Sequence, residues 1–203
     1  MPRRRTSAWE RRSRSEPAAR RPWRPTRAQL ERARGKSVRD VIARRLRVLF
    51  VGINPGLYSG AVGHHFARPG NRFWKVLHRA GFTDEIVSPF DERALLRCGF
   101  GITNLVNRAT AAADELAPAD LRRGALRLER LVRRSRPRIV AILGMGAYAT
   151  AFRRSRVRVG EQRERIGRAR VWVLPNPSGR TAGYQLAALT RAFRELGRTA
   201  RTL

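Results

Sequence analysis

The sequence predicts a three-layer α/β/α sandwich built around a mostly parallel central sheet. Apolar, β-branched runs at RVLFVGINPG (47–56), RIVAILG (138–144) and RARVWVLPNPSG (168–179) have the length and Gly/Pro punctuation of buried strands. Helical patterns separate these runs, as the crossovers of a parallel sheet require. The chain has 203 residues and a hydrophobic fraction of 42%, ample for one sizeable core.

Taken in order, residues 1–36 read as a disordered Arg-rich basic arm and residues 37–203 as the folded domain. The first 47 residues hold 17 Lys/Arg against 4 Asp/Glu, a net of +13, and Pro2, Pro17, Pro22 and Pro25 interrupt a stretch with few aliphatic side chains. A short helix and turn are available from Thr26. The strand at 47–52 then feeds a loop. NRFWKVLHRAGF places Phe73, Trp74, Leu77 and Phe82 at helical spacing with Gly81 as a stop. DERALLRCG is a short helix, and GITNLVN is a strand or extended segment. PADLRRGALRLERLVRRSRP is an amphipathic helix with Leu121, Ala125, Leu128, Leu131 and Val132 on one face, ended by Pro137. RIVAILGMGAYATAF is strand, loop and helix. Its Gly turn lacks a full dinucleotide fingerprint and is assigned to packing. AGYQLAALTRAFREL closes the domain as a helix. Ligands of such sheets bind beyond the carboxyl ends of the strands, where both GINPG and NPSG fall.

Charge narrows the partner. Lys+Arg total 45 and Asp+Glu 15, a net of +30, and nearly all the cations are Arg. That balance disfavours an ordinary small-molecule enzyme and favours a polyanion, nucleic acid before an acidic membrane surface. Drift in an Arg-rich composition is the plain alternative. The single Cys, Cys98, makes no internal disulfide and suits a reducing compartment. One Cys and three His build no usual zinc or iron–sulfur site, so no metal or cofactor is expected. No apolar run reaches the length of a membrane span, and MPRRRTSAWERRSRS lacks the apolar stretch of a secretory signal. The expected setting is cytoplasmic, at a bacterial nucleoid, with the chain a monomer and no membrane partner.

GINPG sets two glycines and a proline around one amide, Asn54. Such a loop holds backbone N–H groups in fixed directions and lets a substrate come close. Asn is no general base at neutral pH, but it accepts a hydrogen bond from a water and orients it. That suits a reaction in which bond breaking runs ahead of nucleophilic attack. No carboxylate occurs between Val48 and Thr83, so activation of water by an Asp of this loop is missing and slow turnover is expected.

GINPGLYSGAVGHHFARPGNRFWKVL together with LPNPSGRTAGYQ resembles the mismatch-specific uracil/thymine DNA glycosylases (the Mug/TDG family) of the uracil-DNA glycosylase superfamily. The resemblance spans about residues 38–196. It implies a uracil-DNA glycosylase-like fold and a monofunctional DNA glycosylase of base-excision repair. Such an enzyme flips uracil, or thymine or a damaged pyrimidine, out of G·U and G·T mismatches in double-stranded DNA and leaves an abasic site. It makes Asn54 the residue that positions the attacking water, and Phe66 the aromatic that stacks on the flipped base. Gly52, Ile53, Pro55 and Gly56 line the base pocket, and Ser59 lies near the pyrimidine 5-substituent. His64 and His65 form a pair that departs from the strictly bacterial pattern; His65 is placed at the base pocket, and surface solvation is the reading for His64. Asn176, Pro177, Ser178, Gly179, Arg180 and Thr181 match the loop inserted into the duplex, with Arg180 where an aliphatic wedge is typical. Arg68, Arg72 and Lys75 are candidates for phosphate contact. The alternative from another class is a non-catalytic, arginine-rich nucleic-acid-binding protein on the same fold. A nucleotide-binding α/β enzyme fails for want of phosphate- and metal-binding motifs.

Overall fold

The computed structural model describes residues 24–178 and 184–203. Within them the elements run α1 (Arg27–Glu31), β1 (Val48–Gly52), α2 (Leu57–Val62), α3 (Phe73–Arg79), α4 (Ala94–Arg97) and β2 (Phe100–Asn104). Then follow α5 (Pro118–Ser135), β3 (Ile139–Leu143), α6 (Met145–Phe152), β4 (Gly160–Ile166), β5 (Ala169–Leu174) and α7 (Leu186–Arg201). Short 3₁₀ turns lie at Pro89–Asp91 and Ala113–Glu115. The sheet order is β2-β1-β3-β5-β4, parallel throughout except for β4, which runs antiparallel to β5. The α/β sandwich expected from the apolar runs is therefore the fold observed.

Strand alternation sorts the two faces. Val48, Phe50, Ala141 and Trp172 point to one side, where α3 and α7 cover them with Phe73, Trp74, Leu189 and Phe193. Leu49, Val51, Val140 and Val171 point to the other, under Leu121, Leu128 and Val132 of α5 and Tyr148 of α6. Phe50 is the hub of the first side: its ring meets Phe73 edge-on at 5.5 Å and Phe82 at 5.4 Å, and stacks with Phe193 at 6.1 Å. Trp74 and Trp172 are both buried in this core, as the sequence suggested.

Two features differ from the sequence reading. Strand β4, GEQRERI, carries almost no apolar signal. It is an edge strand with exposed and half-buried residues alternating, held to β5 by the bidentate pair of Arg170 and Glu161 (2.6 Å from Nε to Oε1). The arm boundary at 36/37 also moves. Residues 24–36 are ordered against the domain: Thr26 caps α1, Ala33 is wholly buried, and Gly35 N–H donates to Ala109 O at 2.9 Å. Just beyond, Val41 exchanges both backbone hydrogen bonds with Ile102 (2.9 and 2.8 Å), covering the free edge of β2. Residues 1–23 lie outside the described part.

Helix α5 presses on the segment after β2. A Cβ placed on Gly124 would stand 2.6 Å from Leu105 O. Alanine gains up to about 1 kcal/mol over glycine within a helix. A backbone overlap of this kind costs about 1–3 kcal/mol. We therefore expect Gly124→Ala to lower stability by about 1–2 kcal/mol in thermal or urea unfolding, against helix propensity.

Candidate active site

The strand order reverses between β1 and β3: β2 lies beyond β1, and β5 beyond β3. This is the switch point at which ligand crevices open in α/β sheets. A cleft of about 420 Å³ opens there. Gly52, Ile53, Asn54 and Gly56 line it from the end of β1, Leu143 from the end of β3, and Asn176 and Ser178 from the segment after β5. Phe66, Arg68, Asn71 and the stretch Thr110–Asp114 complete the wall.

The GINPG loop is fastened along its length to the segment after β2. Gly52 O accepts from Leu105 N–H at 2.8 Å, Ile53 O from Val106 N–H at 2.9 Å, and Pro55 O from Thr110 N–H at 3.1 Å. Asn54 Nδ2 donates within reach of three acceptors: Thr110 Oγ1 at 2.7 Å, Pro55 O at 3.1 Å and Arg108 O at 3.2 Å. The Thr110 hydroxyl spends its own proton on Ala112 O at 2.6 Å, so toward Asn54 it can only accept. This network sets the amide orientation: the nitrogen faces the segment 108–110, and Oδ1 is the free acceptor, with no hydrogen bond from any described residue.

Phe66 has φ +52, a left-handed conformation that costs a bulky residue about 1–2 kcal/mol. The turn stacks its ring on Phe73 at 4.1 Å, while its edge lies over Gly52. A Cβ on Gly52 would overlap Asn104 Oδ1 and stand 3.2 Å from Phe66 Cζ, so only glycine fits. Behind this layer is a polar chain. His65 is 2% exposed, donates from Nε2 to Arg39 O at 3.1 Å and accepts at Nδ1 from Asn104 Nδ2 at 3.3 Å. The His65 N–H is held by Glu92 Oε2 at 2.7 Å, and Glu92 Oε1 meets His64 Nδ1 at 3.2 Å. Burial lowers the His65 pKa to about 4 and raises that of Glu92.

The structure brings together most of the expected site and redistributes the rest. Asn54, Gly52, Ile53, Gly56, Phe66, Arg68, Asn176 and Ser178 share one cleft. Pro55 and Pro177 are buried in the loops that shape it. Ser59 does not line it: Ser59 is 5% exposed, and its Oγ accepts from Ala67 N–H at 3.2 Å. His65 does not line it either and instead orients Asn104. Arg72, expected at a phosphate, is turned toward the protein. Its guanidinium donates to three backbone carbonyls, Tyr184 O at 2.6 Å, Ser178 O at 2.7 Å and Pro177 O at 3.2 Å, which clamps the loop after β5. Lys75 is exposed on α3, outside the cleft wall. Gly179, Arg180 and Thr181 lie outside the described residues. Sequence reasoning missed Thr110, whose hydroxyl fixes Asn54, and Asp114, the one carboxylate of the cleft wall among the described residues. Neither belongs to a motif loop, and only the pairing of β1 with β2 brings them there. Among the described residues no His/Cys/Asp/Glu group could hold a metal ion, and no helix is long and apolar enough to cross a membrane.

A crevice at a switch point, with a rigid loop presenting one oriented amide and an aromatic face, is the architecture of an α/β enzyme that handles a planar substrate. The model of the uracil DNA glycosylase superfamily matches residues 40–197, and the chain belongs to that superfamily, whose members are DNA N-glycosylases. Among solved structures, the fold is similar to a solution NMR structure from Methanosarcina acetivorans described as a candidate uracil DNA glycosylase. The TM-score is 0.51 and the identity 16%, over 80% of this chain and 98% of that one, a likeness that speaks to the fold.

The folded chain keeps His65 neutral down to about pH 4, whereas an unfolded histidine takes its proton near 6.5. The unfolded state therefore binds more protons in that window, and up to about 3 kcal/mol of stability present above pH 6.5 is lost as the pH falls through it. Glu92, pushed up by burial, acts in the opposite direction. The test is thus the difference between the melting profiles of the parent and His65→Gln, which should narrow from pH 6.5 to 4. Arg72→Lys replaces a fork that serves three carbonyls with a single ammonium. It should lower stability by about 1.5 kcal/mol in urea unfolding, the equivalent of one lost charge-assisted hydrogen bond.

Proposed function

We propose that this chain is a monofunctional, mismatch-directed DNA glycosylase that removes uracil, and thymine or damaged pyrimidines, opposite guanine. The observation that carries this reading is the orientation of Asn54. With Nδ2 committed to three acceptors, the amide offers the cleft only an acceptor. An acceptor can hold a water by one of its protons and aim its lone pair, but cannot take that proton away. This suits a reaction in which the C1′–N bond breaks first. The bonding pair leaves with the base as an anion, an oxocarbenium-like sugar forms, and the aimed water then adds to C1′ and releases its proton to solvent.

The other parts fit the same sequence of events. The Phe66 ring, backed by Phe73, provides a flat face for an extruded base. Asn176 sits at the cleft wall with Oδ1 accepting from Ser178 N–H at 2.9 Å, and the family resemblance supports assigning this turn to the sugar side of a flipped nucleotide. No lysine lines the cleft among the described residues, so no Schiff base forms and the product is an abasic site without strand cleavage. The expected partner is double-stranded DNA, met by a monomer at the bacterial nucleoid in the cytoplasm. The Mug/TDG assignment within the superfamily rests on the motif GINPG with PGNRFWKVL and NPSG.

The test incubates the protein with duplexes carrying G·U, G·T or A·U and with single-stranded U, and scores alkali-labile sites. G·U should be cut fastest. Asn54→Ala should slow it about 10²–10³-fold with duplex binding retained, the usual cost of removing one oriented polar group from a transition state. Duplex binding with no abasic product from any substrate would leave the non-catalytic binder as the surviving reading.

A further inference from the structure

Among the described residues, more cations line a second concavity than line the cleft. This concavity, about 690 Å³, lies at the opposite end of the sheet, where the parallel strands begin. Arg138 immediately precedes β3, and Ala169 and Arg170 open β5. Leu143 of the cleft wall lies five residue steps along β3 from Arg138, a span of about 17 Å at ~3.3 Å per residue. The groove is lined by Arg45, Arg133, Arg136, Arg138, Arg165 and Arg168, over a floor that includes Val132 and Pro137. None of these six makes an ion pair or a side-chain hydrogen bond among the described residues. The seventh, Arg170, pairs with Glu161. By contrast, among the described residues the charged groups of the cleft wall are Arg68 and Asp114, one of each sign.

Two of the groove arginines occupy unusual backbone. Arg45 has φ +58 and Arg136 φ +52, positions that favour glycine or asparagine. The negative end of α5 favours cations at 133–136, and the other two segments close on that same end: Arg45 N–H donates to Ser135 O at 2.7 Å, and a Cβ on Gly167 of the β4–β5 turn would stand 3.8 Å from Arg133 Cγ. Like charges gathered from three separate segments in one concavity repel one another and focus a strong positive potential.

We infer that this groove is a second nucleic-acid site, one that holds the phosphodiester backbone of a duplex segment other than the one in the cleft. The donors are exposed and dispersed, so they suit a row of phosphates better than one small anion, which needs convergent buried donors. The surface is concave, so it receives a protruding backbone better than a planar lipid surface. Arginine forks match phosphate oxygens in pairs. The two sites face opposite ends of the strands, and a protein that engages both brings two duplex segments together.

The test uses the full chain and two lesion-free duplexes, one carrying a fluorescence donor and the other an acceptor. The parent should produce protein-dependent energy transfer at low salt. The variant Arg133→Gln/Arg136→Gln/Arg168→Gln should lose it at least about tenfold, with the salt slope of duplex binding falling by up to about 3. A second version with Arg136→Gly fits the left-handed backbone and guards against misfolding. Arg3→Gln/Arg4→Gln/Arg5→Gln removes the same charge from the amino-terminal stretch and should bridge within about twofold of the parent, as salt-linked binding by a distinct site requires. Absence of bridging by the parent, parental bridging by the groove variants, or equal losses from both sets of substitutions would each overturn the inference. Excision from a short G·U duplex is scored in parallel and should be unchanged in the groove variants. A parent that bridges duplexes without excising a base would remove the proposed function and leave this inference standing.

Discussion

The pairing of the GINPG loop with the segment after β2 is the constraint on which the site depends. Three backbone hydrogen bonds, from Leu105, Val106 and Thr110 to Gly52, Ile53 and Pro55, extend the β1–β2 ladder past the end of the sheet. They occupy carbonyls that would otherwise leave the loop free to move. They also bring Thr110 Oγ1 and Arg108 O against Asn54 Nδ2, so one polar side chain acquires a single orientation. The support continues outward. Helix α5 packs its Gly124 on Leu105, and Arg108 is anchored by Asp120 at 2.8 Å. Residues 34–38 brace the same segment, with Arg34 on Glu115 and Val38 N–H on Asn107 Oδ1 at 3.1 Å. Part of what composition marks as a basic arm is thus scaffolding for the GINPG loop.

A second layer of support turns on the missing side chain at Gly52. Because nothing projects from that Cα, Asn104 and the edge of Phe66 both close over it. Asn104 is fixed by a neutral His65, which is fixed in turn by the Arg39 carbonyl. A protonated imidazole would turn Nδ1 from acceptor to donor and set it against the Asn104 amide. Burial that holds the ring neutral therefore also preserves the direction of the chain.

Much of this was legible in the sequence, for identifiable reasons. Buried parallel strands are apolar on both faces, so β1, β3 and β5 stand out as continuous runs. β4 does not, because an edge strand exposes alternate residues and here fills them with Glu and Arg. GINPG was visible because two glycines, a proline and one amide are unusual after a buried strand. Thr110 and Asp114 were invisible because register, not local pattern, delivers them. Ser59 and His65 were assigned to the cleft by position within a motif, yet both are buried behind it, Ser59 Oγ on Ala67 N–H and His65 Nε2 on Arg39 O. Arg72 shows the limit of reading charge by type. A guanidinium beside a loop rich in carbonyls satisfies those carbonyls before it meets any phosphate.

The charge of +30 is likewise better understood by location than by total. Under the proposed function a flipped base would enter this cleft neutral, and strong fields there would favour a phosphate over the base. A cleft wall with one cation and one anion among the described residues, lined otherwise by amides, small residues and one aromatic, selects for shape and hydrogen bonding. Cations placed away from the cleft raise the local concentration of DNA without competing for the pocket, and they do so in a salt-dependent, sequence-independent way. Separating the two roles allows arginines to accumulate without altering what the cleft accepts. The cost is self-repulsion where they crowd. It falls on the end of the sheet where the parallel strands begin, where six arginines with no ion pair among the described residues share one groove.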